Sequence, residues 1–248
     1  FKGQEKMLKF QKGTSAKVRK ITEWYGKPVN VYSFSLPAGW SCPQAEICLS
    51  KADKITGKIT DGKKTTIRCY AASDEAKSPN ARRARWHNFD ILKGLEFESI
   101  YSELFYSFPE NADIMRIHVG GDFYNQKYFD AWVFLAQNKP ETTFYAYTKS
   151  IPYWISTTYE IPQNLKLIAS KGGRSDELIS EYNLREAVIV LSLEEADMLD
   201  LDIDHDESIA IQHKSKFALL IHGTQPKGSE ASKAVQELKK VGITGYGK

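Results

Sequence analysis

The chain has 248 residues, with 34 Lys and Arg against 31 Asp and Glu, 42% hydrophobic and 12% aromatic, the make-up of a globular protein of one or at most two domains. That composition excludes disorder, coiled coil and collagen. The longest clean apolar runs, Ala187–Leu191 and Phe217–Ile221, fall far short of the roughly 20 residues of a membrane-spanning helix, so a cytoplasmic protein with no membrane partner is expected.

Residues 1–28 form a basic N-terminal segment. Its first twenty residues carry seven Lys or Arg and one Glu, a net +6, which leaves −3 for the rest. The segment is expected either to attract phosphate or to be a solvated tail. Val29–Leu36 alternates as a strand and stops at the turn signal Pro37-Ala38-Gly39. Residues 40–79 are rich in Gly, Lys and Thr, hold every cysteine and show no sustained helical period, so a long functional loop is expected there. A helix follows from Asn80, its expected cap, to Leu92, with Gly94 as the stop, and another from about Glu98 to Tyr106.

A strand-then-helix rhythm begins with Ile114–Val119, Gly120-Gly121 and the aromatic helix Gln126–Asn138. Further strands are expected at Thr142–Tyr147, Leu165–Ala169, Ala187–Leu191, Ser208–Gln212 and Phe217–His222. The alternation predicts an α/β fold, an open or partial β/α barrel over residues 29–225 with mostly parallel strands, and ligands at the C-terminal strand ends. Residues 226–248 are expected to add a packing helix and a tail, while the eight carboxylates of Glu194–Glu207 read as a solvated acidic loop.

Cys42, Cys48 and Cys69 make an odd count in a chain without a secretory signal, which favours metal or redox chemistry over disulfides. Thiolates suit zinc or an iron–sulfur cluster, and three can hold a 4Fe–4S cluster with one iron left open. Zinc would need a fourth protein ligand, with His87 and His118 the candidates. Gly120-Gly121 permit close backbone approach to a ligand, and Asp122 offers a carboxylate to an ammonium group. Thr148 and Lys149 end the third strand and Ser170 and Lys171 the fourth with hydroxyls and cations suited to an anion. His118 and Lys149 are the catalytic candidates, and a hydrolase using His118 and Asp122 is a further alternative. Gly172-Gly173 lacks the Lys-Ser ending of a P-loop. The basic stretch Lys51–Arg85 supplies Lys63, Lys64, Arg82, Arg83 and Arg85 as expected contacts to a nucleic acid.

A cysteine loop after the first strand, a cysteine followed by Tyr, and Gly120-Gly121-Asp122 after the second strand together resemble the radical S-adenosylmethionine (SAM) enzymes. That resemblance implies a 4Fe–4S cluster on the three cysteines and a SAM amino group met by the Gly-Gly-Asp turn, although the cysteine spacing is wider and Asp122 stands in for the customary glutamate. The motifs Leu36–Pro43, Cys69–Ala71, Gly121–Phe123 and Tyr147–Lys149 are also similar to those of a bacteriophage and prokaryotic three-cysteine family, which implies a phage protein in the host cytoplasm. The function expected is an iron–sulfur protein acting on nucleic acid or nucleotide. The alternative is a non-enzymatic nucleic-acid-binding protein stabilised by zinc or a cluster.

Overall fold

The computed structural model describes residues 7–13, 16–212 and 216–243. Lys2 and Lys6 of the basic segment lie outside them, as do the side chains of Lys17 and Arg19. The chain opens with a two-residue strand β1 (Gln11–Lys12) and a helix α1 (Ala16–Tyr25), then enters β2 (Val31–Phe34). A hairpin of β3 (Ser50–Ala52) and β4 (Ile59–Asp61) follows, then α2 (Tyr70–Lys77), α3 (Pro79–Leu92) and α4 (Phe97–Ser107). The repeating part runs β5 (Ile114–Ile117), α5 (Gln126–Gln137), β6 (Thr143–Thr148), α6 (Ile151–Ser156), β7 (Leu165–Ser170), α7 (Glu177–Glu181), β8 (Glu186–Val190). It ends with α8 (Leu193–Met198), α9 (Ser208–Gln212), β9 (Lys216–Leu220) and α10 (Glu230–Lys240).

Seven strands form one sheet in the order β1-β2-β5-β6-β7-β8-β9, all parallel except β1, which pairs antiparallel with β2. From β2 onward the order follows the chain, as helical crossovers between adjacent parallel strands produce. The sheet does not close into a barrel, since β1 and β9 stand at opposite ends of that order.

Both faces are buried, which explains the near-continuous apolar strands. On one face Phe34, Met115, Ile117, Phe144 and Leu167 meet Trp132, Tyr128 and Phe129 of α5 and Ile100 and Leu104 of α4. On the other, Val31, Ile114, Tyr145, Ile168 and Phe217 meet Ile21 of α1 and Ala210 and Ile211 of α9.

Several expectations need correction. Ser208–Gln212 is a helix: the Asp206 carboxylate accepts from the Ser208 amide (3.0 Å) and the Asp204 carboxylate from the Ala210 amide (3.0 Å), satisfying N–H groups that a helix start leaves orphaned. The acidic run is therefore not a solvated loop, and Asp204 and Glu207 are buried, Glu207 bonding Arg116 at 2.9 Å. Helix α3 is capped by Ser78, whose hydroxyl accepts from the Ala81 amide (3.3 Å), with Pro79 rather than Asn80 opening it. Residues 7–13 and 16–25 belong to the fold, with Leu8 and Ile21 buried, Phe10 4.9 Å from Phe34, and Asn88 bonding both backbone groups of Lys9.

The long loop also contains regular structure, the β3–β4 hairpin and α2. The hairpin turn rests on the Asp53 carboxylate, which accepts from Ile55 N, Thr56 N and Thr56 Oγ1. The two ends of the loop are joined by Glu75 of α2. Its Oε1 accepts from Ala38 N just before Cys42 (2.9 Å) and from Arg85 of α3 (2.9 Å), and Arg85 also donates to Ala71 O (2.9 Å) and Asp74 (2.7 Å). The Glu75 and Arg85 side chains are 0% and 4% exposed. Removing one member of such a pair strands the other charge in the interior, at a cost of about 3–5 kcal/mol. Arg85→Met is expected to lower the thermal unfolding midpoint by about 6–20 °C, and Glu75→Gln with Arg85→Met by less than the two single losses combined. Melting followed by circular dichroism checks this, and an Arg85→Met shift under about 2 °C would contradict the role.

Candidate functional site

The cysteine loop arches over the C-terminal ends of the parallel strands. Next to Cys42, Ser41 packs against the turn after β5: a Cβ added at Gly121 (φ +85°) would fall 2.5 Å from Ser41 Oγ. Between Cys42 and Cys48 the loop bonds to the turn after β7, with Ile47 N donating to Gly172 O (3.2 Å) and Arg174 N to Gln44 O (2.9 Å). Before Cys69, Arg68 is gripped by Gln225 beyond β9, which accepts from Arg68 N (2.8 Å) and donates to Arg68 O (3.1 Å). Three strand ends thus hold the three cysteine segments.

All three cysteines are free thiols in partly exposed residues, with their sulfurs surrounded by protein. Burial pushes the Cys42 thiol well up, and the charges of Asp122, Cys69 and Cys48 push the same way. Burial raises Cys48 too, opposed by Lys149, and takes Cys69 up to about 11, with Cys48 adding to the rise. Cys42 therefore feels both other thiols and Cys69 feels Cys48, while Asp122 acts on Cys42 and Cys48 and Lys149 on Cys48. Among the described residues, no three His, Cys, Asp or Glu side chains are close enough together to bind a single metal ion.

The strand-end polar residues are already committed to one another. Asp122 is buried and accepts from Thr148 Oγ1 (2.6 Å), Phe123 N (2.8 Å) and Lys149 N (2.8 Å). Burial raises its carboxyl while these bonds and the Lys149 charge oppose the rise. The Lys149 ammonium donates to Ser170 O (2.8 Å), Ser170 Oγ (2.9 Å) and Lys171 O (2.7 Å), which uses its three protons. The amides of Gly172 and Gly173 both donate to the Asp176 carboxylate (2.8 Å each), which fills the anion nest with an anion from the same chain. Gly120 is also pressed by protein, with Ala71 Cβ and Arg85 Cζ each 3.0 Å from where its Cβ would be.

His118 lies among the rings of Phe34, Phe123 and Tyr128, and its Nε2 meets the Tyr128 hydroxyl at 2.8 Å. Burial lowers its pKa to about 3, so it is neutral at pH 7 and a weak base. His87, the other imidazole expected for zinc, meets Met7 O at 3.0 Å.

Of the expected nucleic-acid contacts, Arg82 and Arg85 are buried and donate inward. Arg82 bonds the carbonyls of Lys54, Ile55 and Glu75, so neither guanidinium faces an outside phosphate. Lys63, Lys64 and Arg83 are exposed, although Lys64 pairs with Glu46 (2.6 Å) and Arg83 with Asn80. Glu75, Asp176 and Gln225 escaped sequence reasoning. Asp176 had a local signal, a carboxylate just after a Gly-Gly turn. Gln225 had none, 157 residues from its partner.

The sequence profile of the Gene product 88 family matches residues 2–238. Two curated relatives are the Gene 88 protein of Mycobacterium phage L5, 27% identical over 128 residues, and that of Mycobacterium phage D29, 26% identical over 128 residues. Each alignment covers 47% of this chain and 47% of the relative, so the chain matches about half the length of these proteins. No solved structure matches. Among the described residues no helix is long and apolar enough to cross a membrane.

Two outcomes follow from the geometry. Asp122→Ala leaves three buried donors without their acceptor, at about 1–3 kcal/mol each before relaxation, and is expected to lower the melting midpoint clearly more than Asp122→Asn, which keeps one acceptor oxygen. Between pH 6.5 and about 3 the unfolded chain protonates its imidazole at position 118 while the folded one does not. Stability is therefore lost as pH falls through that window, by up to about 1.4 kcal/mol per pH unit. Urea midpoints at pH 7.5, 6, 5 and 4 should fall more steeply for wild type than for His118→Gln.

Proposed function

This chain belongs to the Gene product 88 family, and from the gathering of Cys42, Cys48 and Cys69 over the strand ends we propose that it is an iron–sulfur protein acting on nucleic acid or nucleotide. The carrying observation is that segments up to 27 residues apart in sequence are fastened to the ends of β5, β7 and β9, with Cys48 and Cys69 raising the Cys42 thiol and Cys48 raising that of Cys69. The donor set fits a cluster better than a lone ion. A zinc ion with Zn–S bonds of ~2.3 Å holds its sulfurs roughly 4 Å apart and needs four ligands, and among the described residues neither His87, its Nε2 on Met7 O, nor His118, its Nε2 on Tyr128, joins the cysteines in a group of three ligands. A cubane places its thiolates on different irons, hence further apart, and accepts three.

Such a cluster supplies low-potential electrons and, with SAM on its open iron, radical chemistry. The chain's own residues would set its surroundings. Lys149 favours the Cys48 thiolate, and Asp122 acts against the Cys42 and Cys48 thiolates and fixes the strand-end turn. The sequential order of the parallel strands from β2 to β9 is compatible with a partial β/α barrel, and this part of the reading extends the likeness to radical SAM enzymes. A SAM ammonium would have to share the Asp122 carboxylate with the three donors already on it.

Protein purified without oxygen is expected to be brown and to contain about four iron and four sulfide per chain, and Cys69→Ala to lose them. Stoichiometric zinc without iron would replace this reading with a non-enzymatic, zinc-stabilised nucleic-acid-binding protein. Calorimetry with SAM on the cluster-loaded protein separates the radical enzyme, which binds it, from a cluster protein that does not.

A further inference from the structure

We infer that the rim of the cysteine loop is a binding surface for single-stranded nucleic acid, on which bases stack against Trp40 and Tyr70 and phosphates meet Lys51, Lys58 and Lys63. This deepens the nucleic-acid part of the reading above and replaces the buried Arg82 and Arg85 as contacts.

Trp40 and Tyr70 are 45% and 41% exposed, unusual for residues whose rings are normally covered. Each stands directly beside the cysteine region, Trp40 two residues before Cys42 and Tyr70 immediately after Cys69. The residues that precede them both meet the buried Ser50. Gly39, preceding Trp40, is pressed against Ser50 O, and the Ser50 hydroxyl accepts from the backbone amide of Cys69 (3.4 Å).

Both rings are held in place. The Trp40 indole N–H donates to Ala52 O (2.9 Å), its ring packs 5.6 Å from Trp86, and the Tyr70 ring lies 5.0 Å from His222. The Trp40 ring, exposed with its polar handle already satisfied inside the protein, offers a stacking surface with little entropy left to lose.

The charge around the rings has the matching sign. Lys51 Nζ lies 4.7 Å from the Trp40 ring centroid, and Lys58 and Lys63 are exposed on and beside the β3–β4 hairpin. Among the described residues these three lysines form no ion pair, whereas nearby Lys54 and Lys64 are neutralised by Asp90 and Glu46. Exposed aromatic faces interleaved with uncommitted cations suit unstacked bases and a phosphate backbone. A duplex keeps its base faces covered and could use only the cations.

The test uses the purified full chain at low salt with a fluorescently labelled mixed-sequence strand of about 12 nucleotides, and the same sequence as a duplex. Binding tighter to the single strand is expected, with quenching of Trp40 emission. Trp40→Ala and Tyr70→Ala should each weaken it by roughly 5- to 100-fold, and Trp40→Phe should restore most of the loss. Lys51→Gln with Lys63→Gln should flatten the salt dependence. Equal or tighter duplex binding, no binding at low salt, or Trp40→Ala and Tyr70→Ala both binding as wild type would overturn the inference. Iron content is measured on the same samples, so absence of a cluster with intact strand binding sinks only the iron–sulfur reading.

Discussion

The buried pair of Glu75 and Arg85 holds the cysteine region together. Glu75 fastens the segment before Cys42, Arg85 fastens the helix that Cys69 begins, and the Arg85 guanidinium lies against Gly120 at the end of β5. One ion pair thus ties β2, α2, α3 and β5 to a common point. The interior offers little solvent screening, so the two charges stabilise the loop only as a pair. A loop of this length would otherwise leave the separation of Cys42 and Cys69 to chain entropy.

Around that clamp, the polar residues at the strand ends satisfy each other. Asp122 holds Thr148 and the Lys149 amide, Lys149 holds the turn after β7, and Asp176 neutralises the Gly172 and Gly173 amides. Buried polar groups are costly when unmet, so a closed network of this kind fixes the ends of β5, β6 and β7 relative to one another. Among the described residues the network does not reach every group: Glu75 Oε2, Arg85 Nε and His118 Nδ1 are buried without a hydrogen-bond partner, while Cys42 accepts from the Gly39 amide at 3.2 Å and burial raises all three thiols. Chemistry at the mouth is assigned to the thiols rather than to Asp122 and Lys149, whose bonds the network uses, or to His118, a weak base.

The same distinction separates the charges. Arg82 and Arg85 sit in a basic stretch of the sequence and serve the interior, bonding backbone carbonyls and carboxylates. Eight carboxylates between residues 194 and 207 look fit only for solvent, yet Asp204 and Glu207 are buried, Asp204 capping α9 and Glu207 meeting Arg116 on β5 and the Tyr147 hydroxyl. In each case a charge that sequence places on the surface is consumed by a partner within the chain, from 6 residues away for Asp204 and Ala210 to 91 for Arg116 and Glu207.

The parallel α/β architecture, most of its strands and the helices α3, α4, α5 and α10 were legible from the order of residues, because hydrophobic period and cap residues are local properties. So was the grouping of the cysteines in one loop. The helical state of Ser208–Gln212 was not, since alternating Ile209 and Ile211 suit a strand until the Asp204 and Asp206 carboxylates take the first amides. Nor was the fate of Asp122, Lys149 and Arg85. Their residue types fit ligand binding and internal bonding equally well, and only the tertiary approach of Thr148, Ser170 and Glu75 shows that their hydrogen bonds are already spent within the chain.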